Sequence, residues 1–329
     1  MILAGDVGGT NTRLAGFEVA GGALVPRVTK TYPSHAHPSL EAIVEAFVRE
    51  LPGPVAHACF GVAGPVLDDR VQAVNIPWSV EGRSLAARLG LSRLVLINDL
   101  EANAWGLAAL GPGDVAVLQA GRPVATGNAA VVAAGTGLGE AGLVWDGRRH
   151  RPFPTEAGHA DWAPQDERQI ALWRFLAAEF GHVSVERVLS GPGLHNVYRF
   201  LRDVEGLPEP PGLGAALAAG DPAPVIARAG LEGRAEICRQ ALELFAAIYG
   251  AEAGNLGLRV LATAGVYLGG GIAPRILPAL RRPAFREALL AKGRLRSVVE
   301  TIPVLVILND QTALLGAARR AALDAGLLA

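Results

Sequence analysis

Residues Ile2 to Thr12 read ILAGDVGGTNT, an apolar run broken by a carboxylate and then by a glycine pair. Gly8 and Gly9 let backbone amides approach an anion that a Cβ would fend off. Thr10 and Asn11 add short polar groups beside the turn. The carboxylate of Asp6 suits a hard cation such as magnesium, held through water. The residues after the turn, TRLAGFEVAGGALVPRVTKTY, stay strand-like and turn again at Gly21-Gly22. The glycine loop is therefore expected to be the tip of a hairpin. That excludes a GxxxxGK[ST] loop and a GxGxxG strand-to-helix turn. A purely structural hairpin remains the alternative for this segment alone.

The same arrangement recurs. An apolar strand over 129–134 meets Gly135-Thr136-Gly137-Leu138-Gly139, and a second strand resumes over 141–145. Two glycine hairpins in successive halves predict a duplicated α/β fold, two domains flanking a cleft. The domains are expected to cover 1–109 plus 312–329 (the smaller) and 110–311 (the larger). A length of 329 residues also favours two cores over one. Between the hairpins the pattern predicts a helix over Ser39–Leu51, a strand over Val55–Val62, a short helix over Ser84–Leu89 and a buried strand over Leu94–Ile97. Helices are expected over 166–180, 191–203 and 232–260, the last with an apolar stripe of Ile237, Ala241, Leu244 and Ile248. Residues 204–224, rich in Pro and Gly, read as a loop with at most short helices. Strands at Gly265–Leu268 and Val304–Leu308 and a helix from Thr312 close the chain.

The formal net charge of −1 gives no electrostatic case for nucleic acid or an anionic membrane. The apolar stretch 256–273 is interrupted by Arg259 and several glycines, so no membrane span is expected. The first residues carry no cationic leader, and a cytoplasmic location is expected. The cluster Arg148, Arg149, His150, Arg151 reads as a solvated turn. Cys59 and Cys238 lie in apolar surroundings and are expected to be buried thiols.

Four further segments carry chemistry. Asn98-Asp99 ends an apolar strand, where α/β sheets place their sites. A carboxylate there can accept the proton of a hydroxyl that attacks phosphorus; capping of the next helix is the competing explanation. Gly269-Gly270-Gly271 lies between a strand and a helix and offers a flat surface to a base or ribose, or else a close helix–strand contact. Glu156 and His159, in PTEAGHADW, and Glu186, in VSVERVLSGPG, could bind vicinal hydroxyls in fixed directions; surface ion pairs are the alternative. The remaining histidines, among them His35, His37, His57, His182 and His195, have no comparable setting.

Six segments in this order span nearly the whole chain: GDVGGTNTRL (5–14), INDLEANAWG (97–106), AAGTGLG (133–139), EAGHADWAP (156–164), ERVLSGPGL (186–194) and LGGGIAPR (268–275). Together they resemble the bacterial glucokinases, within the sugar kinase, Hsp70 and actin superfamily. The resemblance implies an actin-like ATPase fold, ATP with Mg2+ as cofactor, and transfer of the γ-phosphate to the 6-hydroxyl of D-glucose. It implies that Gly5, Asp6, Val7, Gly8, Gly9, Thr10 and Asn11, with Gly135, Thr136 and Gly137, embrace the ATP phosphates. Gly269, Gly270 and Gly271 would face the nucleoside, Asp6 would serve the metal, and Asp99 would match the catalytic base. Asn98, Asp99, Glu156, His159 and Glu186 would hold the sugar. A homodimer is implied as well. The zinc-containing branch of these kinases carries a cysteine cluster after the glutamate–histidine pair; no cysteine lies between Cys59 and Cys238, so no zinc is expected. Glu140 stands where the resemblance leads one to expect an apolar residue. The rival readings are a kinase for another hexose or N-acetylhexosamine and a sugar-sensing regulator without turnover.

Overall fold

The computed structural model describes residues 1–73, 76–91 and 93–328. The chain forms two compact units. The first comprises Met1–Pro112, His150–Pro154 and Asn309–Ala329, the second Gly113–Arg149 and Thr155–Leu308. Ala329, the end of the smaller expected domain, lies outside the described residues.

In the first unit, β1 (Ile2–Val7), β2 (Asn11–Ala20) and β3 (Ala23–Pro33) form an antiparallel meander. After α1 (Leu40–Val48) comes β4 (His57–Val62), parallel to β1. A small ribbon of β5 (Val66–Leu67), β6 (Arg70–Gln72) and β7 (Ser79–Glu81) leads through α2 (Gly82–Arg88) to β8 (Val95–Asn98). The sheet order is β3-β2-β1-β4-β8, and β8 opens directly into α3 (Asp99–Gly106). Both faces are covered, which is why β1 reads as an apolar run on both faces apart from Asp6. Leu3 and Val7 join one core with Phe47, Phe60 and Trp78, while Ile2 and Ala4 join another with Cys59, Ile97 and Trp105. By this alternation Asp6 projects on the second face.

The second unit opens with β9 (Val115–Gln119), β10 (Ala129–Ala134) and β11 (Leu138–Trp145), while β12 (His150–Pro154) groups with the first unit. Helices follow: α4 (Glu167–Phe180), α5 (Gly191–Asp203), α6 (Leu213–Ala218), α7 (Pro222–Leu231) and α8 (Glu236–Arg259). Next are β13 (Gly265–Gly269), α9 (Ile272–Arg275), α10 (Leu277–Leu280), α11 (Pro283–Leu290), α12 (Arg296–Thr301) and β14 (Val304–Ile307). Within this unit the sheet runs β11-β10-β13-β14-β9. The run β11-β10-β13-β14, with its first pair antiparallel and the rest parallel, repeats β2-β1-β4-β8 of the first unit. The chain ends in α13 (Thr312–Asp324), which packs on α3 in the first unit.

Three features of the chain go beyond the pattern read from it. Helix α7 begins inside the segment read as a loop, started by Asp221, whose carboxylate accepts the Ala223 amide at 3.1 Å, and by Pro222 at the first turn. His150 and Arg151 belong to β12, so only Arg148 and Arg149 sit in the connecting turn. The ribbon β5–β7 is too short to show a period. Cys59 and Cys238 are both buried free thiols. Among the described residues no helix is long and apolar enough to cross a membrane.

Candidate active site

The first glycine turn joins β1 to β2 and closes with the Gly8 amide donating to the Asn11 carbonyl at 3.0 Å. Ser34, fully buried, braces it from beneath: its amide donates to the Thr10 carbonyl (2.9 Å) and its hydroxyl to the Gly8 carbonyl (2.7 Å). Because a trans peptide points its C=O and N–H in opposite directions, the Gly9 amide is turned away from Ser34, free to meet an anion. Nothing in the run TYPSHA marks Ser34 out, and only the folded turn reveals its part.

Asp6 sits one residue before the turn, half-buried, and none of the described residues donates a hydrogen bond to its carboxylate. Burial raises its pKa from 3.8 to about 6; the Arg13 guanidinium opposes that rise and the Asp310 carboxylate adds to it. Arg13 is itself tied to Asp310, with a 2.9 Å ion pair and a bond to its carbonyl. The Arg13–Asp310 pair escaped sequence reading, although a signal existed. Leu308-Asn309-Asp310 repeats Ile97-Asn98-Asp99 at the end of the equivalent strand of the duplicated sheet.

At the end of β8 the capping explanation of Asn98-Asp99 falls to Asn98. Asn98 is the cap: its Oδ1 accepts the Leu100 and Glu101 amides (2.8 and 3.4 Å), and its Nδ2 donates to the Gly64 carbonyl (3.1 Å). Asp99 is the first helical residue, and its Oδ1 accepts the Leu100 amide at 3.0 Å.

In the second unit, the second glycine turn is closed by the Gly135 amide donating to the Gly137 carbonyl (2.8 Å). The Gly135 carbonyl accepts the Gly191 amide, also at 2.8 Å, which turns the Thr136 amide outward by the same peptide geometry. The third glycine cluster meets this turn. Gly270 has φ +76, and a Cβ there would lie 2.3 Å from the Ala134 carbonyl oxygen, so only glycine fits. Gly271 faces open space. A cavity of about 520 Å³ lies between them, lined by Gly135, Thr136, Pro192, Gly271, Ile272 and Ile276, with Asp221 and Arg275 as its charged side chains. Asp221 carries no motif in the sequence, and Arg275, the last residue of LGGGIAPR, has no role implied there; the start of α7 and α9 bring them to the cavity.

Glu156 and His159 bracket a single turn of 3₁₀-helix, closed by the His159 amide on the Glu156 carbonyl (3.0 Å). Thr155 sets this turn by donating its hydroxyl to the Glu140 carbonyl (2.9 Å) while accepting the Ala157 amide (3.2 Å). Glu186 faces it: Oε1 lies 3.9 Å from His159 Nδ1, and Oε2 accepts the Leu138 amide at 2.8 Å. Glu140, by contrast, is wholly buried on β11. Burial and the neighbouring Glu252 carboxylate push its pKa up to about 8, against the pull of Arg259. Among the described residues no group of three His, Cys, Asp or Glu side chains could hold a metal, so a cation here would lean on substrate phosphates and water.

A duplicated β-meander sheet with a braced glycine turn in each copy defines a kinase-type ATPase of the actin-like fold. The comparisons agree. A glucokinase from an Antarctic psychrotroph superposes with TM-score 0.84 at 30% identity, over 97% of this chain and 98% of that one. A ROK family glucokinase from Streptomyces griseus, in complex with glucose and AMPPNP, shares the fold with TM-score 0.64 at 22% identity, over 98% of this chain and 99% of that one. Glucokinases from Nostoc sp. and Cronobacter sakazakii are 38% and 40% identical, covering 98% and 96% of this chain and 99% and 95% of theirs. The family model described as Glucokinase matches residues 3–324. The chain belongs to the glucokinase family.

Proposed function

We propose that this chain transfers the γ-phosphoryl group of ATP to the 6-hydroxyl of D-glucose with Asp99 as general base. As a member of its family it is an ATP-dependent glucose kinase. The observation that carries the finer reading is the cavity joining the Gly135-Thr136 turn to Gly271. Its glycine, proline and isoleucine walls suit a nucleoside, and the outward amide of Thr136 suits the phosphates that follow it. The braced turn Gly5–Asn11 offers a second set of amides to the phosphates, those of Gly9 foremost.

Phosphoryl transfer asks for positioning and charge stabilisation more than for covalent chemistry. Asp99 takes the proton as the hydroxyl attacks phosphorus. Asn98, Glu156, His159 and Glu186 hold the remaining hydroxyls, and a buried group left unpaired by the wrong epimer costs about 1–3 kcal/mol. Glucokinases use Mg2+ in general, and Asp6 fits that ion. None of the described residues donates to this half-buried carboxylate and burial disfavours its charge, which a divalent cation would offset. When bound, Mg2+ neutralises charge on the phosphates. The domains 1–109 plus 312–329 and 110–311, a homodimeric assembly, a cytoplasmic location and independence from zinc complete the reading, with glycolytic entry of glucose as its place.

The test is ADP release over a panel of glucose, mannose and N-acetylglucosamine, with and without Mg2+, for the native chain and Asp99→Asn. Glucose with Mg2+ should be strongly preferred, and Asp99→Asn should lose about 10²–10⁴-fold in kcat. Near-native turnover in that variant would remove Asp99 from its role.

A further inference from the structure

The two oxygens of the Glu186 carboxylate face different parts of the second unit. Oε2 accepts the amide of Leu138, the residue that follows the second glycine turn. Oε1 is on the His159 side, at 3.9 Å from Nδ1. The fit against the turn is tight: a Cβ on Gly137 would come to 2.5 Å from Glu186 Oε2. The segment that follows is stitched to the same turn at its far end, where the Gly191 amide donates to the Gly135 carbonyl. It is also stiff. The Ser190 hydroxyl donates to the Glu186 carbonyl (2.8 Å) and accepts the Gly193 amide (3.0 Å), and Asn196 donates to the Arg187 carbonyl (2.9 Å). Residues 186–191 thus form a short strap clasping the glycine turn at its two ends, and the next residue, Pro192, lines the nucleoside cavity.

We propose that Glu186 mechanically links the sugar to the nucleotide turn, so that occupancy of either substrate within this unit changes affinity for the other. This rests on the reading of Glu186 as a sugar contact and of Gly135–Gly137 as a phosphate turn. A carboxylate can accept a hydroxyl on one oxygen while the other keeps its amide. A sugar hydroxyl on Oε1 therefore fixes the plane of the carboxylate and, through Oε2, the Leu138 amide. Conversely, a group that displaces Oε2 from the turn moves Oε1 away from the sugar. Two ligands sharing one positioned side chain are coupled, and the coupling is reciprocal.

The consequence is that a change in the nucleotide turn should weaken sugar binding with no nucleotide present. Gly137→Ala suits the purpose because its clash is with the far end of one side chain rather than with backbone. By titration calorimetry on the full chain without nucleotide, Gly137→Ala should raise the glucose Kd about five-fold or more. An unchanged Kd overturns the link. Glu186→Gln separates the two layers of the claim: it should weaken glucose binding by itself, and failure to do so removes the sugar contact and the link together. A native-chain measurement stands apart from any folding defect. The glucose Kd should shift about five-fold or more between no nucleotide and a saturating non-hydrolysable ATP analogue, and equal values overturn the proposal.

Discussion

Asn98 caps α3, and the neighbouring Asp99 is the residue proposed for the chemistry. The Oδ1 of Asn98 is committed to two amides of α3, and one hydrogen of its Nδ2 to the Gly64 carbonyl. Only the remaining amide hydrogen can serve a sugar hydroxyl. The cap and the sugar contact are therefore separable by substitution. Asn98→Ala should cost about 1 kcal/mol of stability through loss of the cap, and should weaken glucose binding. Asn98→Ser, whose hydroxyl caps but cannot replace the amide, should recover the stability and keep the weakened binding. Thermal unfolding and calorimetry read the two effects, and full recovery of both by serine would assign Asn98 to the cap alone. The sequence displayed the Asn-Asp pair but not which member caps. That choice depends on where β8 ends, and single-residue boundaries are set by hydrogen bonds rather than by periodicity.

At the scale of elements, small residues decide how close two helices come. Helix α3, which carries Asp99, lies on α13 with no room between them. A Cβ on Gly316 would come to 1.8 Å from the Ala102 carbonyl oxygen, and one on Gly106 to 2.0 Å from that of Thr312. Ala102, Ala317 and Ala318 are wholly buried around the same crossing. Gly316→Val should force the pair apart. A loss of about 1–3 kcal/mol or more is expected from such overpacking, with kcat falling because Asp99 rides on the displaced helix. Unchanged kcat in a variant that is destabilised would show that α3 holds its start without α13. The long elements were readable because apolar residues recur at the helical period in α4, α5 and α8 and dominate β1, β4 and β10. Helix α7 was hidden by the prolines at 222 and 224, which sit harmlessly in its first turn. The alanine-rich α13 and the helix after Asn98-Asp99 are both legible in the sequence, whereas their packing on one another is known only from the fold.

Across the whole molecule, a duplicated sheet explains both what the sequence displayed and what it concealed. The two glycine turns were visible as repeats because each needs the same backbone approach. The Leu308-Asn309-Asp310 copy of Ile97-Asn98-Asp99 went unread because its neighbours differ, although the strand it ends has the equivalent place in the second sheet. The copies also diverge where one buries a charge. Glu140 on β11 is wholly buried beside Glu252, with neither carboxylate oxygen hydrogen-bonded among the described residues, and Arg259 is 3.8 Å away and shared with Glu252. An acid raised from 4.5 to about 8 binds its proton more firmly in the folded chain than in the unfolded one. Its contribution to stability is therefore complete below pH 4.5 and is lost as the pH climbs through 8. Glu140→Gln, which keeps the shape and removes the ionisation, should unfold at a higher temperature relative to the native chain as the pH rises from about 5 to about 9. The difference in Tm between the two should grow up to about pH 8 and level off above it. A difference that stays constant would mean that Glu140 is ionised in the folded and the unfolded chain alike across the interval, so that burial does not raise its pKa.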